Sequence, residues 1–152
     1  MKIRMLGPAD DISGAVLLLQ RFVREEGFET PDDAIAANAR KMTGIEACGL
    51  FVAEDRDAAI GVATVSLEFG IEYGWSAEMG DLYVVPEWRG RGLSGAIIAE
   101  IEAFLKARGA RGYQTAILSI SRVLPSHAAA RRRRCSVGVT GTARVWALRA
   151  VT

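Results

Sequence analysis

The run from Asp81 to Ala96, D-L-Y-V-V-P-E-W-R-G-R-G-L-S-G-A, constrains this chain more than any other part of it. Leu82, Tyr83, Val84 and Val85 are the residue types that favour a strand. Pro86 stops that strand, because proline has no N–H for a sheet ladder. Two arginines and two glycines follow, Arg89, Gly90, Arg91 and Gly92. Beyond them Ile97, Ile98, Ile101, Phe104 and Leu105 fall at helical spacing, and Gly109 closes the helix. Strand, glycine-arginine turn and helix together make a holder for a phosphate. The glycines let the backbone come close, the helix start offers unpaired N–H groups, and the arginines add charge.

The rest of the chain supplies a sheet and helices around that unit. Lys2 to Leu6 alternates charged and apolar residues and reads as a half-exposed first strand. After Gly7-Pro8, Asp10 or Asp11 caps a helix with Ile12, Ala15, Val16, Leu19, Phe22 and Val23 on one face, ended by Gly27. Thr30-Pro31-Asp32-Asp33 starts a second helix, with Thr30 as the cap, that runs to about Gly44. Leu50 to Glu54 and Ala59 to Leu67 form a hairpin about Asp55-Arg56-Asp57, and Gly61 marks a bulge. Phe69 to Trp75 reads as irregular. Ala77 to Val85 is the fourth strand, and Tyr113 to Ile120 the fifth.

At 152 residues the chain reads as one domain, 1–152, large enough to bury a core. A net charge of +1 gives no global field that would select nucleic acid or a membrane. No apolar run is long enough to span a bilayer, and the N-terminus lacks the apolar core of a signal peptide. Cys48 and Cys135 lie far apart without metal-type spacing, and His127 is the only histidine, so no metal site is expected. Free buried thiols and a cytoplasmic location follow as expectations.

Arg89 to Ser94 resembles the R/Q-x-x-G-x-G/A signature of the GNAT superfamily of acyl-CoA-dependent N-acyltransferases, with Ser94 where the family has Gly or Ala. The preceding V-P-E-W run and the following helix place the signature in its proper context. The resemblance covers about residues 1–120 and implies an α/β fold, with a mixed, mostly antiparallel central sheet and helices on both faces. It implies acetyl-CoA as cofactor, its pyrophosphate at Arg89, Gly90, Arg91, Gly92, Leu93 and Ser94. Its pantetheine arm would lie along the backbone of Leu82, Tyr83 and Val84, in a split between the fourth and fifth strands.

Residues 121–152 are atypical for the family. Counting from Gly138, Arg134 occupies the position of the usual tyrosine acid, His127 that of an asparagine, and Val139 that of a phenylalanine. Tyr73, Tyr83 and Tyr113 do not match the tyrosine position.

Acyl transfer to an amine needs a base for the amine proton, polarisation of the thioester carbonyl, and a proton for the departing thiolate. Glu78 falls where some members keep a glutamate base, and Asp81 where relatives acting on aminosugars keep an aspartate; these two are the candidate catalytic residues. Glu25, Glu26, Glu29, Asp32 and Asp33 form an acidic group about the link between the first two helices, which together with that link the resemblance implies to be one wall of the acceptor site. It reads either as a solvated helix end or as a recognition surface for a cationic acceptor. The resemblance thus implies acetyl transfer, by direct attack, to a primary amine of a small molecule of aminosugar or polyamine type. A protein N-terminus or lysine as acceptor stays open, as does a homodimer. The rival readings are a family member that binds acyl-CoA with sensing or little catalysis, and a basic-helix binding protein built on Arg131 to Arg134.

Overall fold

The structure, a computed structural model, describes residues 1–72, 74–118 and 144–150. Within them the elements run β1 (Lys2–Met5), α1 (Ser13–Glu25), α2 (Asp32–Met42), β2 (Cys48–Asp55), β3 (Ala58–Gly70), β4 (Gly74–Val84), a short 3₁₀ turn (Pro86–Trp88), α3 (Leu93–Ala107), β5 (Gly112–Leu118) and β6 (Arg144–Ala150). The expectations on His127, Arg131 to Arg134, Cys135 and Val139 lie outside the described residues.

The strands follow chain order across one sheet, β1-β2-β3-β4-β5-β6. All neighbours are antiparallel except β4 and β5, which are parallel. This is the mixed, mostly antiparallel sheet expected. The parallel contact is a consequence of α3, since parallel neighbours need a long crossover between them.

Helices cover both faces. Phe22 of α1 meets the Tyr83 ring edge-on at 6.2 Å, so Tyr83 and its neighbour Val62 point to the α1 side. Gly61, one residue along β3, points the other way. A Cβ there would lie 2.8 Å from Ile97 Cδ1 of α3, so any larger residue would make that side chain shift. The core is continuous through Leu50, Val52, Val62 and Val65 of the sheet, Leu18 of α1, and Ile97, Ile101 and Leu105 of α3. Leu18, not among the residues read onto the inner face, is almost fully buried.

Helix ends differ in detail from the sequence reading. In α1 the capping position is Ile12, neither Asp10 nor Asp11, and no side chain caps it; Asp11, one residue earlier, accepts the Ser13 N–H and hydroxyl at 2.9 and 3.0 Å. Gly27 closes that helix with φ +77°, and Phe28 N–H reaches back to the Val23 carbonyl. In α2 the capping position is Pro31, not Thr30, and no side chain caps it. The proline carbonyl takes the Ile35 N–H at 3.1 Å, while Asp32 and Asp33 face the positive helix end.

Two sheet features also depart from expectation. Phe69 and Trp75 do not belong to an irregular stretch: β3 runs on to Gly70 and pairs with β4 through Phe69–Trp75 and Gly70–Gly74, the two rings 5.2 Å apart. Cross-strand aromatic pairing carries the strands past the point where propensity fades. The β2–β3 bulge lies beside Gly61, with Ile60 as the extra residue between the pairs Ala53–Gly61 and Glu54–Ala59. No described helix is long and apolar enough to cross a membrane.

Candidate active site

The β4–β5 contact is short. Ala77–Met79 pair with Tyr113–Thr115, and past Met79 no described β5 residue pairs with β4 although both strands continue. The strands splay, and among the described residues Gly80 to Val84 keep an open edge. Which groups face that edge follows from alternation along a strand. Asp81 N–H bonds Thr64 and Val85 N–H bonds the Ile60 carbonyl, so both point toward β3. Leu82 and Val84 therefore aim their peptide groups into the split. An extended ligand arm would find main-chain donors and an acceptor there, as an added strand does.

A second bulge decides where the carboxylates point. Val65 pairs with Met79 and Thr64 with Asp81, which leaves Gly80 as the extra residue. On an unbroken strand, residues three apart face opposite sides. The extra residue resets the alternation, so Glu78 (opposite Ser66), Asp81 (opposite Thr64) and Tyr83 (opposite Val62) all face α1. Gln114 of β5 lies in register beside Glu78. Both candidate carboxylates are half-buried, at the point where the sheet opens.

Thr64 locks that bulge. It is a buried polar residue, 5% exposed, and its hydroxyl serves Asp81 twice. It donates to Asp81 Oδ2 and accepts the Asp81 N–H at 3.0 Å. The sequence reading missed Thr64 and Gly80. A glycine inside a strand is a bulge signal, and Gly80 carried it two residues from a candidate carboxylate.

Past β4 the chain turns through Pro86–Trp88, then Gly90 and Gly92 take φ +75° and +80°. Among the described residues, a Cβ on Gly90, Gly92 or Gly95 would meet nothing within 4 Å, so they leave the backbone here open to approach. The α3 ladder starts with Ala96 N–H on the Gly92 carbonyl. Helix geometry leaves the N–H groups of Leu93, Ser94 and Gly95 without intrahelical acceptors, at the positive end of the helix. Such a nest receives an anion. Arg91 is exposed beside it, its guanidinium 5.4 Å from the Trp88 ring.

Arg89 turns elsewhere. Its Nε donates to the Val84 carbonyl at 2.8 Å and its terminal nitrogen to Glu25 at 3.0 Å, and the guanidinium lies 5.4 Å from the Tyr83 ring centre. Glu25 also accepts the Tyr83 hydroxyl at 2.7 Å. The tyrosine hydroxyl, then Arg89, hold the Glu25 carboxyl below its ordinary range. Burial, then the neighbouring carboxylate, push the Tyr83 phenol up.

The family now follows from comparison. Residues 16–132 match the acetyltransferase (GNAT) family. The chain belongs to that family.

Its fold recurs in solved structures. An integron cassette protein from the mobile metagenome of Cole Harbour Salt Marsh superposes with a TM-score of 0.69 at 23% identity, over 86% of this chain and 91% of that one. An aminoglycoside acetyltransferase from an uncultured soil metagenomic sample, in complex with trehalose, gives 0.65 at 17% identity, over 86% and 96%. A predicted acetyltransferase with acetyl-CoA from Clostridium acetobutylicum gives 0.66 at 18%, over 76% and 80%. No curated protein matches the sequence.

The acidic group near the α1–α2 link is partly spoken for. Glu25 serves Tyr83 and Arg89, Asp32 pairs with Arg24, and Asp33 accepts the Ala34 N–H. Glu26 and Glu29 hold no ion pair among the described residues. Cys48 is a half-buried free thiol, and no metal-binding group of His, Cys, Asp or Glu occurs among the described residues. Two concavities, of about 160 Å³ beside Arg4 and Asp11 and about 370 Å³ beside Phe69 and Trp75, lie away from the carboxylates and the turn.

Proposed function

We propose that this GNAT protein moves an acetyl group from acetyl-CoA to a primary amine of a small molecule of the aminosugar or polyamine type, by direct attack in a ternary complex. The observation that carries the reading is the Gly80 bulge, which sets Glu78 and Asp81 on one side of β4 at the mouth of its open edge. Two carboxylates there attract an ammonium group and offer the base that frees its lone pair.

Acetyl-CoA supplies the acetyl group activated as a thioester. The turn from Arg89 to Ser94 receives its pyrophosphate through bare backbone N–H groups, with Arg91 adding charge. The backbone of Leu82, Tyr83 and Val84 holds the extended arm, and an N–H of the open edge faces the carbonyl oxygen as negative charge develops on it. Glu78 or Asp81, directly or through water, accepts the amine proton. The amine nitrogen then bonds to the acetyl carbon as the carbon–sulfur bond breaks, and the surplus proton on that nitrogen passes to the departing thiolate. Thr64 keeps Asp81 in the position this requires.

Glu26 and Glu29, with Glu78 and Asp81, favour a cationic acceptor over a neutral one. Calorimetric titration with acetyl-CoA, followed by a free-thiol assay with sisomicin and spermidine, tests the reading. Binding at micromolar acetyl-CoA and amine-dependent thiol release are expected. Binding without release from any amine would leave an acyl-CoA-binding role in its place, and absence of binding would overturn the cofactor site.

A further inference from the structure

We propose that Glu25, at the C-terminal end of α1, is a positioning residue for the acceptor, clamping Tyr83 and Arg89 so that the acceptor wall and the carboxylate-bearing strand move as one body. The inference rests on the amine-acetylation reading and adds to it a residue outside the motif.

Four contacts define the clamp. Glu25 Oε1 accepts the Tyr83 hydroxyl at 2.7 Å, and Oε2 accepts an Arg89 N–H at 3.0 Å. The Arg89 Nε donates to the Val84 carbonyl at 2.8 Å, and its guanidinium packs over the Tyr83 ring at 5.4 Å. Glu25 lies far in sequence from Tyr83 and Arg89, and the three belong to α1, β4 and the turn before α3. Phe22, one turn earlier on α1, packs edge-on against the same tyrosine.

The consequence lies in what each contact fixes. Tyr83 stands on the same side of β4 as Glu78 and Asp81. Holding its hydroxyl to α1 therefore sets the distance between those carboxylates and the helix pair that walls the acceptor. Val84 sits at the end of the open edge, and Arg89 occupies its outward carbonyl. A cationic side chain so engaged is turned to protein rather than to phosphate. The charge near the cofactor's phosphates then comes from Arg91 and the helix N–H groups.

The ion pair alone would do little, since both side chains are about half exposed, 51% and 47%. Its strength comes from sharing one carboxylate with a buried tyrosine. Lysine cannot replace arginine here, because one ammonium lacks the fork that reaches Val84 and Glu25 at once.

The test is a double-mutant cycle on Glu25→Gln and Arg89→Gln, with Arg89→Lys and Tyr83→Phe alongside. The amine is whichever of sisomicin or spermidine the wild type acetylates. Each single change should raise the amine KM about tenfold, the scale of one charge-assisted hydrogen bond, with kcat lowered less. The double variant should be no worse than either single one, because both break the same clamp. Arg89→Lys should behave as Arg89→Gln, and acetyl-CoA affinity in Glu25→Gln should stay within about twofold of wild type, as expected when no ligand contact is lost. Additive losses in amine KM, or acetyl-CoA bound several times more tightly by Glu25→Gln, would overturn the proposal; the second result would mean that Arg89 had been released to the phosphates.

A readout without turnover keeps the clamp testable if no amine is acetylated. Tyrosinate absorbance at 295 nm, with Tyr83→Phe identifying the signal, should show Tyr83 ionising at lower pH in Glu25→Gln than in the wild type. An unmoved titration would refute the clamp itself, whereas a moved titration in an inactive protein would refute only the acetylation reading.

Discussion

Replacing Thr64 by valine isolates the device that aims the carboxylates. The two side chains have nearly the same shape, so the change removes a hydroxyl and little else. Thr64 is 5% exposed, and its hydroxyl both accepts the Asp81 N–H at 3.0 Å and donates to Asp81 Oδ2. Without it, a backbone N–H inside the sheet loses its acceptor, which costs about 1–3 kcal/mol. The carboxylate loses less, because Asp81 is half-buried and water reaches it. About 2 kcal/mol of destabilisation is therefore expected, and the urea midpoint should fall by about 1 M at an m-value of about 2 kcal/mol/M. The melting temperature should drop by about 4–8 °C in a chain of this size. Amine-dependent turnover should fall further than stability alone explains, because Asp81 is freed to leave the side it shares with Glu78. Thr64→Ser keeps the hydroxyl and should hold both properties near the wild type. A valine variant with an unchanged urea midpoint would refute the argument that this hydroxyl pins the bulge.

Gly61→Ala places a Cβ 2.8 Å from Ile97 Cδ1 and about 3.4 Å from the Tyr83 carbonyl. Overpacking of this kind costs about 1–3 kcal/mol, and adding Ile97→Val, which deletes that Cδ1, should restore part of it; equal urea midpoints for the single and double variants would show that the contact is not the cause. The Glu25 carboxyl titrates below its ordinary value of 4.5, so its stabilising contribution is complete above that pH and is lost as pH falls through the folded value. Melting temperatures followed from pH 6 downward should therefore drop more steeply for the wild type than for Glu25→Gln, and parallel curves would exclude Glu25 from the acid response.

Asp81 to Ala96 was legible because each of its signals is local. Proline fixes where β4 must stop, glycine fixes where φ turns positive, and helical spacing fixes which side of α3 meets the sheet. The sheet order and the opening beside β4 came from family resemblance, since nothing along one strand states which strand lies beside it. Phe69 and Trp75 escaped for the same reason: six positions apart in the chain with glycines between, they make a strand pair only once they face each other.

The site shows the limit more sharply. Counting from the turn picked out Glu78 and Asp81, yet on a regular strand that spacing sends them to opposite sides. Whether they can work on one substrate depends on Gly80, Thr64 and the register between β3 and β4. Arg89 is the reverse case. Its place in the turn suggested a charge for phosphate, but its partners lie 5 and 64 residues away, on Val84 and Glu25. A guanidinium has five donors and reaches in several directions, so sequence fixes the base of the side chain and the packed fold chooses its target. The backbone of the glycine turn is thus written in the local sequence, while the side-chain chemistry around it is set by contacts between α1, β3 and β4. Substitutions in those three elements, rather than in the glycine motif, are where acceptor preference should change with the cofactor turn left intact.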